Sequence, residues 1–173
     1  MPAPNIALEK AKEHYLFYVV ANVVVYRKAD RRCLILKRSI NEKVHPGKYG
    51  VIGGKLEWND LDISHPTRVH GDVLDFEHAV EKLLVREAQE EAGIKIRFPL
   101  GYINSVAFLR PDGIPALLVK FCALYDSGDV KLEQDAFEDF AWVNEKEAQS
   151  YDCLEGIAQE IQATARYYQE KGA

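Results

Sequence analysis

A chain of 173 residues with a mass of 19.6 kDa can bury a sizeable core without disulfides or structural metals. Its 47% hydrophobic and 28% charged residues exclude a disordered or fibrous protein. A net charge of −5 and an isoelectric point near 5.6 argue against a nucleic-acid partner, because grip on a phosphate backbone rests on a basic surface.

In chain order, Met1-Pro2-Ala3-Pro4 lacks the basic segment and apolar run of a secretion signal, so a cytoplasmic location is expected. Residues 7–14 read as a short polar helical lead-in. Residues 18–26 are rich in valine and predict a core strand. The surrounding apolar run, residues 16–26, is broken by Asn22 and is too short to cross a bilayer as a helix, so no membrane partner is expected. A charged turn follows over 27–32, then a second strand over 33–36 as its hairpin partner. Residues 41–50 read as a loop with a Pro46-Gly47 turn, and Val51-Ile52 is a short apolar stub ending in Gly53-Gly54. Residues 58–75 have no sustained period and many turn formers, which reads as an irregular insertion.

Residues 76–92 form the strongest helix pattern, with Gly93 as its stop. Strands are expected over 94–98, 101–109 and 116–125, with Pro111-Asp112-Gly113 as the turn before the last. A short strand over 140–143 and a closing helix over 154–170 complete the chain, with Leu154, Ile157, Ile161 and Ala165 facing inward. This order predicts an α/β fold: a mixed sheet covered by helices on both faces, in one domain spanning residues 1–173. Cys33, Cys122 and Cys153 are odd in number and widely spaced, which points to reduced thiols rather than a metal set.

The helix over 76–92 carries the chemistry. At about 100° per residue, Phe76, Ala79, Val80, Leu83 and Leu84 fall within one arc of roughly 140°. One turn further on, the positions in that arc are Glu87, Glu90 and Glu91. Like charges three and four residues apart repel, and desolvation raises the cost. A hard divalent cation, Mg²⁺ or Mn²⁺, relieves both, since it takes carboxylate oxygens together with water and substrate phosphate. Arg86 sits at the edge of the arc and can hold one carboxylate. A solvated acidic helix end is the plainer alternative, but such acids belong opposite the apolar stripe and not on it.

Residues 86–94, Arg-Glu-Ala-Gln-Glu-Glu-Ala-Gly-Ile, resemble the second half of the Nudix box, and Gly53-Gly54-Lys55-Leu56-Glu57 resembles its start. The resemblance implies an α/β/α sandwich with a mixed sheet that binds Mg²⁺ on the box helix. It implies a Nudix-type pyrophosphatase, a hydrolase cleaving the diphosphate linkage of a nucleotide: a sugar nucleotide, ADP-ribose or a nucleoside triphosphate. It assigns Glu87, Glu90 and Glu91 to the metal, with the Gly53 carbonyl and Glu57 assisting, and Arg86 to orienting the acids. Two features depart from the family pattern. Arg86 lies 32 residues after Gly54 rather than the family's 14, so 18 extra residues are inserted. The family's middle glutamate, eight residues before the arginine, falls at His78, with Glu77 beside it. The fold often dimerises, so a homodimer is an open expectation.

Substrate phosphate needs cations, and Arg38, Lys43, Lys48 and Lys55 surround the loop entering the box. Arg38, Lys48, Tyr49, Gly54 and Lys55 are the substrate-binding candidates; the two glycines let backbone approach metal and phosphate closely. Tyr49, Phe108 and Trp142 are candidate stacking partners for a base, with core packing favoured for the last two. Glu57, Glu91, Glu133 and Glu138 are all open as general base. His65, His70 and His78 have no tight ligand spacing and are expected to be ordinary satisfied or exposed histidines. The insertion is expected to act as a lid or oligomer contact. The competing function is a non-catalytic nucleotide-sensing or protein-interaction module on the same fold, against which retention of the three acids argues. Isomerisation of prenyl diphosphates is a weaker competitor, since Cys33 lacks a supporting context.

Overall fold

The computed structural model describes residues 7–172, so the Met1-Pro2-Ala3-Pro4 expectation lies outside the described residues. Two 3₁₀ turns, Leu8–Lys10 and Glu13–Tyr15, form the expected lead-in. Strand β1 (Tyr18–Arg27) then runs antiparallel to β2 (Arg32–Arg38), the predicted hairpin. The apolar stub resolves into β3 (Tyr49–Gly50), on β2, and β4 (Ile52–Lys55), on β1.

The insertion is more ordered than its composition suggests. A 3₁₀ turn at Trp58–Asp60 leads to a two-stranded hairpin, β5 (Arg68–His70) and β6 (Val73–Asp75). Cross-strand charge supplies what hydrophobic periodicity does not: Arg68 pairs with Asp75 at 3.1 Å and with Glu77 at 2.8 Å. Helix α1 (Ala79–Ala92) begins three residues later than the apolar pattern predicts. His78 precedes it in the left-handed region, φ 58°, so Phe76 belongs to the insertion and not to the helical stripe. Gly93 ends the helix at φ 67°, as a left-handed C-cap requires.

Beyond α1 come β7 (Lys95–Ile96), β8 (Gly101–Leu109), β9 (Pro115–Ser127) and β10 (Phe137–Val143). Short α2 (Glu145–Ala148) and α3 (Ile157–Glu170) close the chain. Leu154 lies outside α3, which Gly156 caps, yet it still packs inward. The sheet is mixed: β1 and β9 are parallel, and its other pairings are antiparallel, in the central order β10-β2-β1-β9.

Strand alternation divides the core. Ala21, Val23 and Val25 of β1 pack with Leu83, Leu84, Ala88 and Ala92 of α1. Val24 and Tyr26 pack on the other face with Ile157, Ile161 and Tyr168 of α3. The result is the expected α/β/α sandwich. Cys33 and Cys122 are buried, Cys153 is half-buried, and all three are free thiols. Among the described residues no helix is long and apolar enough to cross a membrane.

Candidate active site

The box helix meets the sheet through glycine. In β4, Gly53 pairs with Asn22 and Gly54 with Ala21 of the central strand. A Cβ on Gly54 would fall 2.5 Å from Glu87 Oε1, so only a glycine lets this carboxylate lie against the strand. The Gly53 amide donates to Glu91 Oε2 at 3.1 Å. Two of the predicted acids are thus docked on the backbone that the glycine pair exposes.

Their environment is costly for negative charge. Burial pushes the Glu91 carboxyl up to about 8, against the Gly53 amide, and the Glu87 and Glu133 charges push the same way. Burial also raises Glu87 above the usual carboxylate range, partly offset by Arg86. The third acid departs from the wheel. Glu90 is exposed and lies 3.7 Å from Arg86, drawn outward by the i,i+4 cation. Among the described residues no three His, Cys, Asp or Glu side chains converge into a ready-made cation cage. The preformed part is Glu87 and Glu91 on the Gly53-Gly54 backbone. These oxygen donors suit a hard divalent cation, and among the described residues no cationic side chain is bonded to Glu91 to fill that role.

Arg86 is held by an acid that sequence reading missed. Its guanidinium pairs with Asp60 and lies 3.1 Å from Glu87. Glu77 pairs instead with Arg68, and His78 with Glu81, so neither takes the middle-glutamate position. Asp60 stands six residues after Gly54, where counting forward from the glycine places the family's middle acid. Counting back from Arg86 crosses the insertion and lands on His78. Asp60 also accepts from the Glu57 amide at 2.8 Å within a reciprocal capping box, which fixes it on the turn. Glu57 itself is exposed and takes part in that box.

The loop before β10 brings a further acid to the pair. Lys131 and Glu133 amides donate to the Ala92 and Glu91 carbonyls at 2.9 and 3.0 Å, and the Glu133 charge is felt by both Glu87 and Glu91. Glu138 is instead paired with Lys37 at 2.7 Å.

The cations and aromatics separate in the same way. Arg38 faces Glu91 electrostatically but is bonded to Glu42 and to the Val44 carbonyl, both at 2.8 Å. Lys48 is paired with Asp152. Lys55 is exposed on β4 and makes no side-chain bond or ion pair with the described residues. Tyr49 is buried, its hydroxyl donating to Asp139 at 2.6 Å and its ring edge-on to Tyr151, so it is a core residue and not a stacking platform. Trp142 packs under Arg27 and Tyr125, as expected, whereas Phe108 is exposed on β8. His65, His70 and His78 are exposed and each faces one acid.

Comparison with known proteins agrees with this architecture. The family model described as "NUDIX domain" matches residues 16–164. The fold is similar to a MutT protein from Methanosarcina mazei (TM-score 0.61, 19% identity, covering 91% of this chain and 96% of that one). It is also similar to a MutT NUDIX hydrolase from Burkholderia pseudomallei (0.63, 19%, 86% and 98%). A third likeness is to the NUDIX domain of NrtR from Shewanella oneidensis, solved with ADP ribose (0.63, 14%, 96% and 96%). No curated protein matches significantly.

Proposed function

The chain belongs to the Nudix family and is a hydrolase acting on diphosphate bonds, and from that premise we propose a Mg²⁺- or Mn²⁺-dependent pyrophosphohydrolase of nucleoside diphosphate derivatives. The observation that carries the reading is Glu91: a half-buried carboxyl against the Gly53 amide, beside a second half-buried acid, with no cationic side chain bonded to it among the described residues. Glu87, Glu91 and the Gly53 carbonyl would hold the cation, joined by Glu90 when it leaves Arg86. When bound, the cation neutralises phosphate oxygens and lowers the pKa of a coordinated water.

The chain's own groups supply the rest. Arg86, fixed by Asp60, holds Glu87 in place. Lys55, on the strand that touches the acids, meets a phosphate. Glu133 accepts the proton of the attacking water, its loop being tied to α1 by the Glu133–Glu91 backbone bond. Gly54 keeps the approach free of a Cβ. The ADP ribose bound by the Shewanella domain supports a nucleoside diphosphate class of substrate.

A hydrolysis screen over sugar nucleotides, ADP-ribose and nucleoside triphosphates with Mg²⁺ or Mn²⁺, read by product mass, tests this. Cleavage at a diphosphate linkage is expected, lost by orders of magnitude in Glu91→Gln while the fold remains. Full activity in that variant contradicts the site.

A further inference from the structure

A cleft of about 400 Å³ opens beside the box loop, lined by Tyr18, Lys55, Leu56, Glu57 and Trp58 among others. Two aromatic side chains on its wall are far from buried: Tyr18 is 45% exposed and Trp58 43%. Burying such rings is a large gain that a folded chain normally takes, so two left open on one cleft is an observation to explain. Neither is loose. Tyr18 begins β1, with the Arg110 guanidinium 5.3 Å from its ring centroid. Trp58 opens the 3₁₀ turn whose Glu57–Asp60 capping box is tied through Asp60 to Arg86.

The cation in this cleft is Lys55, the member of the Arg38, Lys48 and Lys55 set without a side-chain partner among the described residues. It follows directly on Gly54, the residue in contact with Glu87. From Gly54 to Trp58 is four residues, at most about 14 Å of extended chain, the scale of one nucleotide. Exposed aromatic faces recognise flat heteroaromatic rings with little regard to their identity, and an unpaired ammonium recognises phosphate.

We propose that the Tyr18–Trp58 cleft is the subsite for the nucleobase of the substrate, with Lys55 meeting the phosphate nearest the nucleoside, so that the diphosphate reaches Glu87 and Glu91. The cleft selects a nucleoside-bearing diphosphate over one without an aromatic ring, and it accepts several bases. This rests on the hydrolase reading for its role in turnover, but binding of a base to the cleft is separable from it.

Trp142→Phe leaves Trp58 as the sole tryptophan of the chain's two. In that protein AMP is expected to quench fluorescence saturably, and ribose 5-phosphate is not. In the otherwise unaltered chain Trp58→Leu is expected to raise KM for a cleaved nucleoside diphosphate derivative on the order of tenfold with kcat little changed, and Trp58→Phe to restore it. Equal responses to AMP and ribose 5-phosphate, or an unchanged KM in Trp58→Leu, overturn the subsite while leaving the hydrolase reading intact. Failure of the unaltered protein to cleave any such compound strikes the hydrolase reading, and the AMP quench still decides the subsite.

Discussion

A buried carboxylate, Glu160, and a half-buried one, Glu91, lie on opposite faces of the same sheet, and they are treated differently. Glu160 of α3 receives Lys120 at 2.6 Å and the Asn22 amide at 3.3 Å. Its side chain is 7% exposed and that of Lys120 14%. Glu91 of α1 receives one backbone amide; the charges around it are the acids Glu87 and Glu133, opposed by Arg38, whose guanidinium is bonded to Glu42 and not to Glu91. A buried acid with a built-in cation is part of the architecture. A half-buried acid with no bonded cation is a charge left to be neutralised from outside. Position on an apolar helix face does not separate the two cases; the partner does.

The largest effect expected from this contrast is on turnover. Glu91→Gln keeps the shape and the Gly53 contact but removes the charge, and steady-state assays should show kcat falling about 10³-fold, roughly 4 kcal/mol of activation free energy. Lys120→Met should do the opposite. It strands Glu160, and denaturant unfolding should show a loss of about 3 kcal/mol with turnover per folded molecule retained.

Stability should also respond to pH through Glu91. Desolvation pushes the Glu91 carboxyl of the folded chain up to about 8 from the ordinary 4.5, which favours its protonated form. Its contribution to stability is therefore complete below about 4.5 and is lost as pH rises through about 8. Without added cation, Glu91→Gln should be clearly more stable than the parent at pH 8.5 and gain nothing at pH 4.5, measured by chemical unfolding at both pH values.

Smaller effects sharpen the outline of the site. Asp60→Asn loosens Arg86 and should lower kcat about tenfold, a positioning effect that Asp60→Glu partly rescues. Tyr49→Phe removes a hydroxyl bonded to Asp139 and should cost about 1 kcal/mol of stability with KM unchanged.

Much of this was legible in the sequence because it is periodic. The valine run, the hairpin after it, α1 and the sandwich follow from period 2 and period 3.6 patterns. Glu87 and Glu91 follow from the apolar stripe they continue. Glu90 does not, because a wheel carries no information on the pull of Arg86 four residues back. The β5–β6 hairpin escaped because it is held by Arg68, Asp75 and Glu77 and not by alternating hydrophobics. Asp60 escaped because the insertion separates it from Arg86 by 26 residues along the chain while the fold brings the two together. Lys48, Lys55 and Arg38 look alike as letters; only the structure shows that Asp152 and Glu42 have taken two of them.

The contrast between Glu160 and Glu91 comes down to whether Glu91 takes up a cation. Titration of metal-free protein with Mn²⁺, followed by electron paramagnetic resonance of the free ion, measures that directly. The unaltered chain should bind at a discrete site whose affinity drops at least tenfold in Glu91→Gln. Identical Mn²⁺ uptake by both proteins, or none by either, contradicts the assignment of Glu91 as a cation ligand.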